Sequence, residues 1–178
     1  MKAKELMVRD VKTCTTSDDV NRAAQLMWEN DCGVVVVLNP EERVAGMITD
    51  RDVCMAAYTQ GLPLSSIRVV DVMAREVKSC GPEDDVTQVA SCMRRYKVRR
   101  LPVIDALGAL VGVVSLNDLA RRAVADRGKS VKGVGLESVA ETLAELCRPW
   151  CSQEDAVVQA PPPALPREPA PRVPQLMG

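Results

Sequence analysis

Gly46-Met47-Ile48-Thr49-Asp50-Arg51-Asp52 and Gly112-Val113-Val114-Ser115-Leu116-Asn117-Asp118 are one pattern written twice: a glycine, two apolar residues, a hydroxyl, and an aspartate three residues after the hydroxyl. The two stretches lie 66 residues apart, and the same offset extends outward without a gap, aligning Met7–Val53 with Met73–Leu119. Thirteen of those 47 positions are identical, among them Arg9/Arg75, Cys14/Cys80, Asp19/Asp85, Met27/Met93 and Gly46/Gly112, far more than chance allows in one register. A unit of this size is marginal alone, so two copies imply a pseudo-two-fold pair closing over a shared core.

Each copy reads as strand, helix, strand, strand, helix. A short extended piece, Val11–Cys14 or Val77–Cys80, precedes helix-start chemistry at Ser17-Asp18-Asp19 or Pro82-Glu83-Asp84-Asp85, where acidic residues suit the positive end of a helix dipole. Val20, Ala23, Ala24, Met27 and Trp28, and in the second copy Val86, Val89, Ala90 and Met93, fall at helical spacing and are predicted to face the core. The β-branched runs Val34–Leu38 and Leu101–Ile104, with Val44–Ile48 and Leu110–Val114 after short turns, predict two hairpins. Second helices begin at Thr49 and Ser115. The expected class is α/β (α+β), a tandem βαββα repeat, with repeat 1 at 1–58, a linker at 59–70 and repeat 2 at 71–125. A Gly- and Lys-rich connector follows at 126–135, then one amphipathic helix at 136–148 with its stripe at Leu136, Val139, Ala140, Leu143 and Cys147. Residues 149–178 carry Pro161-Pro162-Pro163, Pro166, Pro169, Pro171 and Pro174 and read as a disordered tail.

Composition narrows the function. The 178 residues have a net charge of -1, so bulk attraction to nucleic acid or a membrane surface is not expected. There is no histidine, which removes the usual general base and the imidazole ligands of catalytic zinc sites, and neither a catalytic residue nor a metal is expected. The four aromatics, Trp28, Tyr58, Tyr96 and Trp150, are too few for a base-stacking platform, so a bound base would sit between aliphatic side chains. Seven cysteines, an odd number without C-x-x-C, together with no apolar leader and no apolar run near 18 residues, point to reduced thiols and a cytoplasmic protein.

The duplicated Gly-x-x-Thr/Ser-x-x-Asp endings admit two readings. Thr49 with Asp52, and Ser115 with Asp118, resemble capping boxes. A helix N-terminus also offers N–H groups and a positive dipole end, so the Thr49 and Ser115 hydroxyls can help hold a phosphate. Asp52 and Asp118 can accept hydrogen bonds from the paired hydroxyls of a ribose, while Gly46 and Gly112 would allow a ligand close to the backbone. Two such endings at equivalent points of a repeat favour nucleotide binding over capping alone.

With Asp71-Val72-Met73 opening the second copy and Arg99-Arg100-Leu101-Pro102-Val103-Ile104-Asp105 at its centre, the unit resembles a pair of cystathionine-β-synthase (CBS) domains, a stand-alone Bateman module, over about Met7 to Val124. The resemblance implies two clefts for adenosyl ligands (AMP, ADP, ATP or S-adenosylmethionine) acting as regulatory ligands, with no required cofactor, in a homodimer that signals to an unidentified protein. Carried over, one cleft uses Thr49 and Asp52 with Val77, Lys78, Val98, Arg99 and Arg100. The other uses Ser115 and Asp118 with Val11, Lys12, Cys32 and Gly33. Arg99 and Arg100, with Arg51 nearby, form a guanidinium clamp that would make the first cleft the one for charged nucleotides. The second has Cys32-Gly33-Val34 at the matching points, a departure from the family pattern, and no cation from that loop.

Three other readings compete. Degenerate clefts would leave a ligand-free interaction scaffold, Cys147 and Cys151 could form a redox switch, and Gly128-Lys129-Ser130 ends a relaxed phosphate-loop pattern. The last lacks the strand before the loop and the uninterrupted helix after it that the mechanism needs.

Overall fold

The structure is a computed structural model that describes residues 1–127 and 135–148. The connector residues 128–134, the proline-rich tail, Trp150 and Cys151 lie outside the described residues, and with them the phosphate-loop pattern and the Cys147–Cys151 pairing.

In the first repeat, β1 (Thr13–Thr15) runs parallel to β2 (Val34–Leu38), which pairs antiparallel with β3 (Val44–Thr49). The second repeat has the hairpin β4 (Arg100–Ile104) and β5 (Leu110–Ser115). The first strand is shorter than the sequence predicts and begins two residues later. Its second-repeat counterpart is reduced to a single parallel bridge, Cys80 to Val103. Helix α1 (Val20–Glu29) starts at Asp19, whose carboxylate accepts the Arg22 N–H at 2.8 Å. Helix α2 (Asp50–Gln60) ends at Gly61, whose φ of +64° is the left-handed conformation that suits a glycine cap. A short helix α3 (Val69–Val72) leads into the second repeat, followed by α4 (Val86–Tyr96), α5 (Leu116–Ala125) and α6 (Leu136–Leu146).

The pairing between repeats follows the 66-residue offset. Val8 bridges Val113 as Ala74 bridges Met47, Lys2 bridges Asp85 as Arg68 bridges Asp19, and Arg43 meets Ala109, its own equivalent. Each lead segment therefore joins the other repeat. Ala3, with Met1, Leu6 and Met7, packs into the core of Val86, Val89, Met93, Leu101 and Leu119. Ile67, Val69 and Met73 pack into the core of Val20, Ala23, Val35 and Ile48. The segment read as a linker thus folds, and Ile67 and Val69 are fully buried.

Three expectations are corrected by packing. Trp28, assigned to the core face of its helix, is 89% exposed, because α1 turns Val20, Ala23, Leu26 and Met27 inward instead. The stripe of α6 is only partly used: Val139 packs on the second core as expected, joined by Leu146, while Leu136 and Leu143 stay exposed. Thr142 is the fully buried residue of that helix, tolerated because its hydroxyl donates to the Ser138 carbonyl at 2.7 Å. Gly46 and Gly112, expected to admit a ligand, are filled from within the chain. A Cβ on Gly46 would lie 2.5 Å from the Met73 Sδ, and one on Gly112 would lie 2.6 Å from the Met7 Sδ. The lead methionines, not a ligand, make the close approach.

Candidate functional site

The two Gly-x-x-Thr/Ser-x-x-Asp endings fold alike because the local chemistry is the same. Asp52 Oδ2 accepts from the Thr49 N–H at 2.8 Å and from its hydroxyl at 2.7 Å, and the Asp52 N–H reaches back to the Thr49 Oγ1 at 3.3 Å. At the start of α5, Asp118 Oδ2 accepts from the Ser115 N–H at 2.8 Å and its hydroxyl at 2.6 Å. Both are reciprocal capping boxes with aspartate in the third position. Each hydroxyl proton already points at a carboxylate, so Thr49 or Ser115 can donate to a phosphate only by releasing its aspartate. In the first turn of α5, the Leu116 N–H is taken by the Arg99 carbonyl at 2.9 Å and the Asp118 N–H by the Ser115 Oγ at 3.3 Å.

The second oxygens differ. No described residue donates to Asp52 Oδ1, whereas Asp118 Oδ1 accepts from Arg121, one turn along α5. Asp118 is buried and the Arg121 side chain is largely exposed, so the guanidinium lies over the carboxylate like a cover.

Around Asp118 the structure forms a half-open cavity of about 450 Å³. Val11, Lys12, Cys32 and Gly33 line it from the first repeat, and Ser115, Asn117, Asp118 and Arg121 from the second. The Val8–Val113 bridge holds the two sides together, with N–H···O distances of 2.9 and 3.0 Å. One member was expected elsewhere: Arg100 lines this cavity, although the sequence reading gave it to the Thr49 and Asp52 cleft. Its side chain makes no hydrogen bond or ion pair with a described residue, and its terminal nitrogen lies 3.4 Å from where a Cβ on Gly33 would stand. The glycine leaves room for an arginine from the neighbouring strand. The cleft whose central loop supplies no cation therefore gains Arg100 and Arg121 beside the expected Lys12, which is held by Asp10 at 2.9 Å.

Of the other set, Arg51 is exposed on the first turn of α2, and Arg99 is exposed beside the half-buried Val98, just before β4. Val77 is half-buried, and Lys78 lies 4.9 Å over the Tyr96 ring. The Met47–Ala74 bridge brings this lead segment to β3. Arg121 and Asn117 escaped the sequence reading, although Arg121 lies at i+3 from Asp118, where side chains of one helix meet. Among the described residues no cluster of three or more acidic or cysteine side chains could hold a metal ion, and no helix is long and apolar enough to cross a membrane.

Comparison with known proteins agrees with this architecture. The family model described as the CBS domain matches residues 3–58 and 69–125. The CBS domain-containing protein YhcV of Bacillus subtilis is 32% identical over 117 residues, covering 66% of this chain and 81% of its own. The mitochondrial CBS domain-containing protein CBSX3 of Arabidopsis thaliana is 36% identical over 115 residues, 62% of this chain but only 55% of that relative's length. A solved CBS domain protein from Pyrobaculum aerophilum, complexed with AMP, superposes with a TM-score of 0.62 at 25% identity, covering 67% of this chain and 90% of that one. The swapped lead segments, the repeated capping boxes and these matches together place the chain in the CBS domain family, as a tandem pair.

Proposed function

We propose that the chain is a non-catalytic regulatory module that binds an adenosyl ligand between its repeats and relays occupancy through its own dimer or a protein partner. The observation that carries this reading is the cavity of about 450 Å³ walled by both repeats, since a ligand held there touches both and can bias their arrangement. The relative that carries AMP supports the ligand class. In this reading Asp118 receives the ribose hydroxyls after Arg121 swings off its Oδ1. Arg100, Arg121 and the first turn of α5 then face the phosphates, and Val11, Lys12, Cys32 and Gly33 flank the base. The cations make AMP, ADP or ATP a better match than S-adenosylmethionine. A second, emptier site would use Asp52, Thr49, Val77, Lys78, Val98 and Arg99, with Arg51 at its edge.

A homodimer suits the exposed apolar residues of the first repeat's helices. Met55 and Tyr58 are 48% and 75% exposed on α2, while α6 packs on the core that holds the equivalent helices of the second repeat. The free thiols of Cys14, Cys32, Cys54, Cys80, Cys92 and Cys147 fit a reducing compartment such as the cytoplasm.

One specific observation favours the alternative of a ligand-free scaffold: Arg121 already satisfies Asp118. Thermal melting with AMP, ATP and S-adenosylmethionine, paired with sedimentation to follow mass, separates the two. A ligand at ~100 times its dissociation constant adds about 2.7 kcal/mol, so the midpoint rises for a receptor. Arg100→Met is expected to reduce the ATP shift more than the adenosine shift. Unchanged melting at millimolar ligand would establish the scaffold.

A further inference from the structure

The wall between the cavity and its neighbour is thin. A second hollow of about 370 Å³, lined by Met27, Trp28, Asp31, Cys32, Gly33 and Asp50, shares Asp31, Cys32 and Gly33 with the first. Gly33 does not have the positive φ that would demand a glycine. What its missing side chain provides is space: a Cβ there would lie 2.9 Å from the Asp50 Oδ2 and 3.4 Å from the Arg100 guanidinium. The equivalent position in the second repeat is Arg99. Only the first repeat has this gap, and it opens where the Arg100 cation stands.

The two hollows differ in charge. Three cations, Arg100, Arg121 and Lys12, balance Asp10, Asp31 and Asp118 around the first, and of these cations Arg100 is the one that makes no ion pair with a described residue. The second holds the carboxylates of Asp31 and Asp50 beside Trp28, whose indole is 89% exposed and has no part in the core. An aromatic face flanked by two carboxylates suits a flat cation, through ring-quadrupole attraction and direct charge pairing.

We infer that the site is bipartite and takes an adenine dinucleotide with a cationic second ring. The adenosine half occupies the cleft of Asp118, the linking phosphates lie by Arg100, and the second ring rests on Trp28 between Asp31 and Asp50. The inference rests on the adenosyl reading of the main cleft and adds the chemistry of the ligand's other end.

Calorimetric titration of the full chain with AMP, ADP-ribose, NAD+ and NADH tests it, since these probes lack the second ring, lack its base, or carry it charged and uncharged. NAD+ is expected to bind about five-fold more tightly than ADP-ribose or NADH, the size of one partly exposed cation–π contact. It should also quench tryptophan emission. Trp28→Leu, at an exposed position outside the adenosine cleft, should erase that preference and leave AMP affinity unchanged. Binding of AMP with NAD+ no tighter than ADP-ribose overturns the bipartite site while leaving the adenosyl reading intact. Equal losses of AMP and NAD+ in Trp28→Leu also overturn it, and failure of all four probes overturns both readings.

Discussion

At the scale of single residues, the strongest constraints lie away from the Asp118 cleft. Gly46 and Gly112 sit under the lead methionines, but their surroundings differ in what can yield. The three atoms nearest a Cβ on Gly112 all belong to the flexible Met7 side chain, whereas one on Gly46 also comes within 2.9 Å of the Ala74 carbonyl, which is fixed by its bridge to Met47. Gly46→Val should therefore destabilise the protein by about 1–3 kcal/mol, and more than Gly112→Val does, in chemical denaturation. The cysteines divide in the same way. Burial, reinforced by the charge of Asp18, pushes the Cys14 thiol up to about 11, and burial with Asp84 does the same to Cys80. Both thiols are protonated in either state below pH 9. Above it an unfolded chain loses those protons while the native one keeps them until about pH 11, so stability should fall across that window. A thiol reagent at pH 8 should modify exposed Cys54 and Cys147 quickly and leave Cys14 and Cys80 until unfolding, which peptide mapping over time would reveal.

Among the elements, α6 is the one whose placement was least legible. The stripe read from its sequence, Leu136, Val139, Ala140, Leu143 and Cys147, is wider than the surface the core covers, and helical periodicity does not rank its members. Val139, joined by Leu146, is the part that packs on the core. Arg94 on α4 reaches Glu141 at 2.9 Å, and with Thr142 satisfied by Ser138 the helix can turn a polar residue inward without an orphaned group. The ion pair is partly exposed, worth at most about 1 kcal/mol, so apolar packing sets the rotation. Val139→Ala should accordingly cost about 1–2 kcal/mol, and Leu143→Ala less than about 0.5 kcal/mol, when the two melting curves are compared. Helix α2, in contrast, was readable to the residue at its start, because Thr49 and Asp52 complete their capping box within one turn.

For the whole molecule, the exchange of lead segments changes what counts as a unit. The first core comprises Cys14 to Met73, including Ile67 and Val69, while Ala3 belongs to the second core. A fragment of residues 8–74 holds every buried member of the first core, whereas 1–58 lacks three of them and carries a lead segment with nothing to pack on. The first fragment should show more helix by circular dichroism and a higher melting midpoint than the second. Equal behaviour would mean that the lead segments contribute little. In the proposed reading the exchange also bears on signalling, because a ligand placed between Val11 and Ser115 would touch a lead segment that is part of the opposite repeat's packing.

By itself the sequence determined the duplication, the order of helix, hairpin and second helix in each repeat, and both capping boxes. All of these depend on local spacing or on self-similarity, and one chain records both directly. Only the tertiary structure decided that methionines fill the space over Gly46 and Gly112, that Arg100 crosses to the cleft of Asp118, that Trp28 faces outward, and that Arg121 covers the carboxylate. Each of those depends on which surfaces meet through space, and a side chain's neighbour across a repeat interface leaves no period in the sequence to read.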